Sequence, residues 1–319
     1  MFAHRSVFRA ATVPLLLITL ALAACGDDSP TAATDSPPGP ATDASAAFPV
    51  TIAGSDGHEL VLDSRPARIV SYSPGATEAL FAIGAGEQVI AADEFSDFPS
   101  ETARLERVSY ANPDPERLLA VEPDLVILAT RQNEQVEQLR GLGVPVLLAN
   151  EPDSVEGVFE AITLLGTATG HEHEATALVE EMRGRFDAVA ARIADVGDGP
   201  TVFYELSDDL YTVAPETFIG GMLGLLRAQN VAAGAVSPFP QLSSEAVIAA
   251  NPDVILLADA EHGPNAESVS SRPGWSGIAA VAEGRIHSID PDLVNRPGPR
   301  IAEGIEVMAR LLYPDRFGE

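Results

Sequence analysis

Apolar residues fall in short unbroken runs, separated by stretches with a three- and four-residue rhythm. Ile69-Val70-Ser71-Tyr72 is one run, and Ser73-Pro74-Gly75 breaks it. Ala76 to Ile83 then carries helix formers until Gly84 and Gly86. This order predicts strand, tight loop, helix. Further strands are expected at Val89 to Ala92, Leu125 to Ala129, Val144 to Ala149, Thr201 to Glu205, Val254 to Ala258 and Arg285 to Ile289. Helices are expected at Pro115 to Val121, Val136 to Leu142, Val155 to Thr169, Phe218 to Leu226, Ser244 to Ala250 and Pro299 to Leu312. Such alternation implies parallel sheets with helices on their faces.

The longest helical pattern is His171 to Val196. Its Ala177, Leu178, Met182, Phe186, Val189 and Ile193 recur at helical spacing. About 26 residues at about 1.5 Å each reach about 39 Å, enough to bridge two lobes. A repeat supports two lobes. ERLLAVEPDLVILA begins at Glu116 and EAVIAANPDVILLA at Glu245. In both, Glu opens a short helix, Pro-Asp turns the chain, and an apolar strand follows. The fold class is therefore α/β: two Rossmann-like lobes, parallel sheets flanked by helices, joined by one long helix, with a ligand cleft between them.

Composition narrows the function. The net charge of −28 repels phosphate backbones and argues against nucleic acid as a partner. One cysteine excludes an internal disulfide framework, a cysteine-based zinc site and an iron–sulfur cluster. That cysteine has a context of its own. Arg5 and Arg9 precede the apolar Val13 to Leu22, which is too short to span a bilayer. Leu22-Ala23-Ala24-Cys25 follows, in the manner of a bacterial lipobox, so lipidation is expected at Cys25. The next stretch is rich in Pro, Ala, Thr, Ser and Asp and reads as a tether. The expected divisions are a signal peptide at 1–24, a tether at 25–47, an N-terminal lobe at 48–169, a bridging helix at 170–197 and a C-terminal lobe at 198–319. The chain is expected to be extracytoplasmic, held to the outer face of the cell membrane by lipid.

Several stretches together resemble the class III substrate-binding proteins of bacterial ABC importers, which carry ferric siderophores, haem and cobalamin. They are PARIVSYSPGATEALFAIGAG from Pro66, DEFSDFP from Asp93, PDPERLLAVEPDLVILA from Pro113, PFPQLSSEAVIAANPDVILL from Pro238, RPGW from Arg272 and RPGPRIAEGIE from Arg296. The branch that carries cobalamin is the most similar. The resemblance implies a rigid bridging helix, a monomer without catalytic activity or cofactor, and a metal chelate as ligand. It also implies an ABC permease dimer with cytoplasmic ATPases as partner. A surface glutamate on each lobe would dock on permease arginines, and Glu116 and Glu245 occupy those motif positions. A carboxylate in a helix's first turn suits that role because the helix dipole keeps it charged.

Ligands in α/β sheets meet the loops at the carboxyl ends of strands. Those loops place Tyr72, Ser73, Gly75, Phe95, Tyr110, Arg131, Leu206, Ser207, Phe239, Asp292 and Arg296 as candidate ligand contacts. Phe95, Tyr110 and Phe239 offer flat faces for a corrin or catecholate ring. Gly75 would let backbone approach the ligand. Tyr110, Arg131 and Phe239 stand where the cobalamin branch has tryptophans, and Arg131 suits an anionic ferric siderophore. Corrinoid and ferric siderophore or haem thus both stay open as ligands. A chelate-sensing receptor is the alternative function, and a bare zinc or manganese binder a weaker one. Of the histidines, only His262 falls in a cleft-facing loop.

Overall fold

The computed structural model describes residues 48–110, 114–129, 133–259 and 263–318. A hairpin of β1 (Val50–Ala53) and β2 (Glu59–Leu62) opens this part. The N-terminal lobe is built on β3 (Ile69–Tyr72), β4 (Val89–Asp93), β5 (Glu106–Val108), β6 (Leu125–Leu128) and β7 (Val146–Leu148). They pair in parallel in the order β5-β4-β3-β6-β7. Helices α1 (Pro74–Ala82), α2 (Pro115–Ala120) and α3 (Asn133–Gly141) connect them. The C-terminal lobe has β8 (Thr201–Glu205), β9 (Gln229–Asn230), β10 (Val254–Leu257) and β11 (Ile286–Ser288), parallel in the order β11-β10-β8-β9. Its helices are α6 (Phe218–Leu225), α7 (Ser244–Ala250), α8 (Ala266–Ser270), α9 (Ala279–Ala282), α10 (Pro291–Val294), α11 (Ile301–Leu312) and α12 (Pro314–Phe317). Central strands β6 and β10 are buried at every residue, which is why both read as continuous apolar runs.

Between the lobes run α4 (Val155–Thr169) and α5 (Glu172–Arg192). Gly170 ends α4 with φ 71°, a conformation that favours glycine, and turns the chain into α5. The two helices touch so closely at Gly166 that an added Cβ would lie 2.4 Å from the Ala175 Cβ. Helix α4 packs on α1 and β1, whereas α5 packs on α11. A two-pronged Arg185–Glu306 pair, 2.9 Å at each contact, fastens α5 to α11. Helix α5 is shorter than its apolar rhythm predicts, about 31 Å at its length. It ends at Arg192 because the chain then turns to bury Ile193 and to give the Val196 carbonyl to Arg227 of the C-terminal lobe, at 2.7 Å.

The repeat has a structural explanation. In each copy the Pro-Asp aspartate receives backbone N–H groups at the entrance of the neighbouring strand. Asp124 accepts from Ala67 (2.9 Å) and Arg68 (2.7 Å), ahead of β3, and Asp253 accepts from Thr201 (2.8 Å) at the start of β8. The residue two before each aspartate, Glu122 or Asn251, has positive φ, 45° and 46°. Each unit is thus a helix, a left-handed turn and a strand locked to its neighbour.

Candidate functional site

The loop Asp93–Asp97 is held from below by a buried ladder of hydroxyls. Ser96 Oγ donates to Asp93 Oδ2 at 2.5 Å and lies 3.0 Å from Thr77 Oγ1, which is 2.9 Å from Ser71 Oγ. Burial pushes the Asp93 carboxyl above its ordinary range. Its other oxygen takes the Phe95 N–H at 2.9 Å. The Phe95 side chain is left 56% exposed, edge-on to Tyr110 with ring centres 5.9 Å apart. The Tyr110 hydroxyl donates to Glu151 at 3.2 Å. On the opposite wall the Pro-Phe-Pro-Gln stretch pairs with residues 211–214. Thr212 and Ala214 donate to the Pro240 and Pro238 carbonyls at 3.0 and 2.9 Å. Phe239 is left 53% exposed between them.

These walls enclose two adjoining cavities of 220 and 410 Å³. Glu151, Pro152, Asn295 and Pro297 line both, so they form one cleft. The first also touches Ser73, Gly75, Phe95, Tyr110, Asp292 and Arg296. The second touches Leu206, Phe239, Asp153, Glu216 and Phe218. Most of the expected contacts therefore share one cleft. Glu151, Glu216, Phe218 and Asn295 were missed, although Glu151 follows β7 and the carboxyl-end rule covers it.

Three expectations change. Tyr72 does not face the cleft: it is 1% exposed in the core beside Val70, Val126 and Leu128, and burial pushes its hydroxyl up to about 12. As the last residue of β3 it shares a face with Val70, which is core. Gly75 is small for a different reason. A Cβ there would lie 2.3 Å from the Pro297 carbonyl oxygen, so the glycine lets the backbones of the two lobes meet. Arg296 lines the cleft but is already engaged. Its guanidinium contacts Glu78 (3.0 Å), Asp97 (2.9 Å) and Asp292 (2.9 Å). Ser207 lies next to the cleft-lining Leu206, and its hydroxyl is buried without a partner. Cys25, Arg131 and His262 lie outside the described residues.

Among the described residues, Arg296 is the one cationic side chain in the cleft wall, against Glu151, Asp153, Glu216 and Asp292. Burial, ahead of the pull of Arg296, raises the Asp292 carboxyl. The described residues contain no group of three or more His, Cys, Asp or Glu placed to hold a metal ion. No helix among them is long and apolar enough to cross a membrane.

Glu116 and Glu245 sit exposed in the first turns of α2 and α7, capped by Asp114 and Ser243. A backbone hydrogen bond, joined by one from Ser243, holds the Glu245 carboxyl below its ordinary range. Both helices follow the carboxyl end of a strand, so they begin on the side of each sheet that carries the cleft.

Residues 69–293 match the periplasmic binding protein family. An ABC transporter substrate-binding lipoprotein of Bacillus subtilis, YvrC, is 33% identical over 313 residues, 96% of this chain and 97% of its own. A cobalamin-binding protein of Halobacterium salinarum is 30% identical over 97% of this chain and 85% of its own. The crystal structure of the periplasmic vitamin B12 binding protein BtuF of Vibrio cholerae superposes with a TM-score of 0.68 at 25% identity, covering 79% of this chain and 98% of that one. With two α/β lobes, a linking helix and a cleft between them, the chain belongs to the periplasmic binding protein family, among the class III substrate-binding proteins of ABC importers.

Proposed function

We propose that this protein captures a corrinoid in the inter-lobe cleft and delivers it to an ABC permease. The observation that carries this reading is the charge of the cleft wall. Among the described residues, four carboxylates line it, and the one cation, Arg296, is held by one of the four, Asp292, together with Glu78 and Asp97. Such a wall repels haem propionates and anionic catecholate chelates. It suits a large, neutral ligand rich in amide N–H groups, because carboxylates accept from them. Phe95, Tyr110, Phe218 and Phe239 supply apolar area for a flat macrocycle. The similarity to a cobalamin-binding protein and a vitamin B12-binding protein supports the same choice.

In this reading Cys25 carries the lipid, the tether gives the lobes reach from the membrane, and Glu116 and Glu245 meet basic residues of the permease. Recognition comes from the cleft, and transport energy from the ATPases of the partner complex. Titration of the purified protein with cyanocobalamin, haem and a ferric catecholate tests the ligand. Saturable one-to-one binding of cyanocobalamin is expected, with haem and the ferric chelate at least about tenfold weaker. Tighter binding of either anion overturns the reading. Glu116→Arg with Glu245→Arg is expected to abolish uptake in cells while cyanocobalamin affinity stays unchanged. A purified double variant with weakened affinity would remove the docking role.

A further inference from the structure

A cavity of 490 Å³ lies beside the cleft where the start of α4, the middle of α5 and the first turns of α6 meet. Its floor is Phe159, Phe186, Phe218 and Leu225. Phe159 and Phe186 meet edge to face, with centres 6.0 Å apart and planes at 85°. Leu225 is 52% exposed, an apolar side chain turned toward open space. Asp153, Asp187 and Glu216 stand at the rim; none of them forms a salt bridge with a described residue, and Asp187 only adds its charge at longer range to the pull on Arg183. The wall already seats one cation. The Arg183 guanidinium lies 4.4 Å above the Phe159 ring, and its charge is met by Glu156.

We propose that this groove, a side pocket that opens off the chelate cleft, binds an organic cation with a flat apolar body. The aromatic floor takes the body, and the three rim carboxylates take the charge. A cation over an aromatic face gains energy from the ring quadrupole as well as from burial, and Arg183 on Phe159 shows that geometry at the edge of the cavity. An anion of the same shape meets the same floor but is repelled by the rim. The groove shares Asp153, Glu216, Thr217 and Phe218 with the cleft, whereas Phe186, Asp187, Gly221 and Leu225 belong to it alone.

The probe is thioflavin T, a cationic aromatic dye, titrated into the full-length protein and followed by fluorescence. Anilinonaphthalene sulfonate, an anionic aromatic dye, is the control. Saturable binding of thioflavin T is expected, about tenfold tighter than the anionic dye. Gly221→Leu fills the groove from α6, where an added Cβ meets nothing within 4 Å, and is expected to abolish dye binding without disturbing the fold. Phe186→Ala is expected to weaken it about tenfold or more, and Asp187→Lys several-fold. Undiminished dye binding in Gly221→Leu, equal binding of both dyes, or no saturable binding of thioflavin T overturns the proposal. If Phe186→Ala fails to fold, Gly221→Leu still decides. Cyanocobalamin affinity, measured on the same samples, separates this result from that of the cleft.

Discussion

Two buried carboxylates, one inside the C-terminal lobe and one between the lobes, use the same chemistry for different ends. Glu205, at the end of β8, is fully buried and holds Arg272 by two contacts of 2.7 and 2.6 Å. Arg272 in turn lies 4.7 Å over the Trp275 ring, and Trp275 donates to Ser244 at 2.7 Å. The Arg-Pro-Gly-Trp stretch is therefore an internal clamp. Glu78, on α1, is equally buried, but its partners Arg296 and Arg300 stand beside α10 and α11, beyond β11 of the C-terminal sheet. Arg300 also lies 4.2 Å over the Phe98 ring. Next to this pair, Gly75 and Gly298 bring the two backbones to within a methyl group of collision. One pair fixes the interior of a lobe. The other fixes the lobes against each other and occupies Arg296 in the cleft wall. A buried ion pair is costly to desolvate, and burial indeed raises the Glu205 carboxyl against the pull of Arg272. The two pairs are best understood through what their loss would leave behind.

The largest effect is expected at the clamp. Glu205→Ala leaves a buried guanidinium uncompensated and should cost about 3–5 kcal/mol in denaturant unfolding, which Trp275 fluorescence reports. A loss below about 1 kcal/mol would show that Arg272 finds another partner. Glu78→Ala should cost somewhat less, about 2–3 kcal/mol, because both arginines are near the cleft and can turn to Asp97 and Asp292. It should also enlarge the ligand-free protein in small-angle scattering, which Glu205→Ala should not. Equal scattering from the two variants would erase the distinction between clamp and inter-lobe tie. Phe95→Ala or Phe239→Ala should weaken cyanocobalamin binding by about tenfold each with little loss of stability, since both rings are half exposed.

The smallest effect belongs to Asp56–Arg140, an exposed aspartate on a mostly covered arginine, which supplies the scale. The Arg140 hydrogen bond holds the Asp56 carboxyl below its ordinary 3.8. A carboxyl depressed in the folded state adds stability above its unfolded pKa and loses it as the pH falls through the folded one. Asp56→Asn should therefore cost less than about 1 kcal/mol at neutral pH. The gap from the parent protein should close below pH 3.8. A gap that persisted in acid would assign the loss to something other than the ion pair.

Much of this architecture was legible in the amino-acid order, because its causes are local. Buried parallel strands such as Leu125–Leu128 and Val254–Leu257 must be continuously apolar, and the Pro-Asp turn recurs because each lobe locks a strand entrance in the same way. The aromatic positions Phe95, Tyr110 and Phe239 followed from the rule that ligands meet the carboxyl ends of strands, and the folded chain brings all three to one cleft. Tyr72 shows where that rule stops: one residue decides between strand and loop, and with it between core and cleft. The charge state of the cleft was not legible at all. Arg296 reads as a ligand contact in one dimension, but Glu78 lies 218 residues away in sequence and only the packed lobes bring it to 3.0 Å. The same holds for Gly75 against Pro297 and for the aromatic groove between α4, α5 and α6. Periodicity and turn chemistry are local and survive in the sequence. Charge pairing and cavity shape are set by contacts between distant segments, and only the tertiary structure decides them.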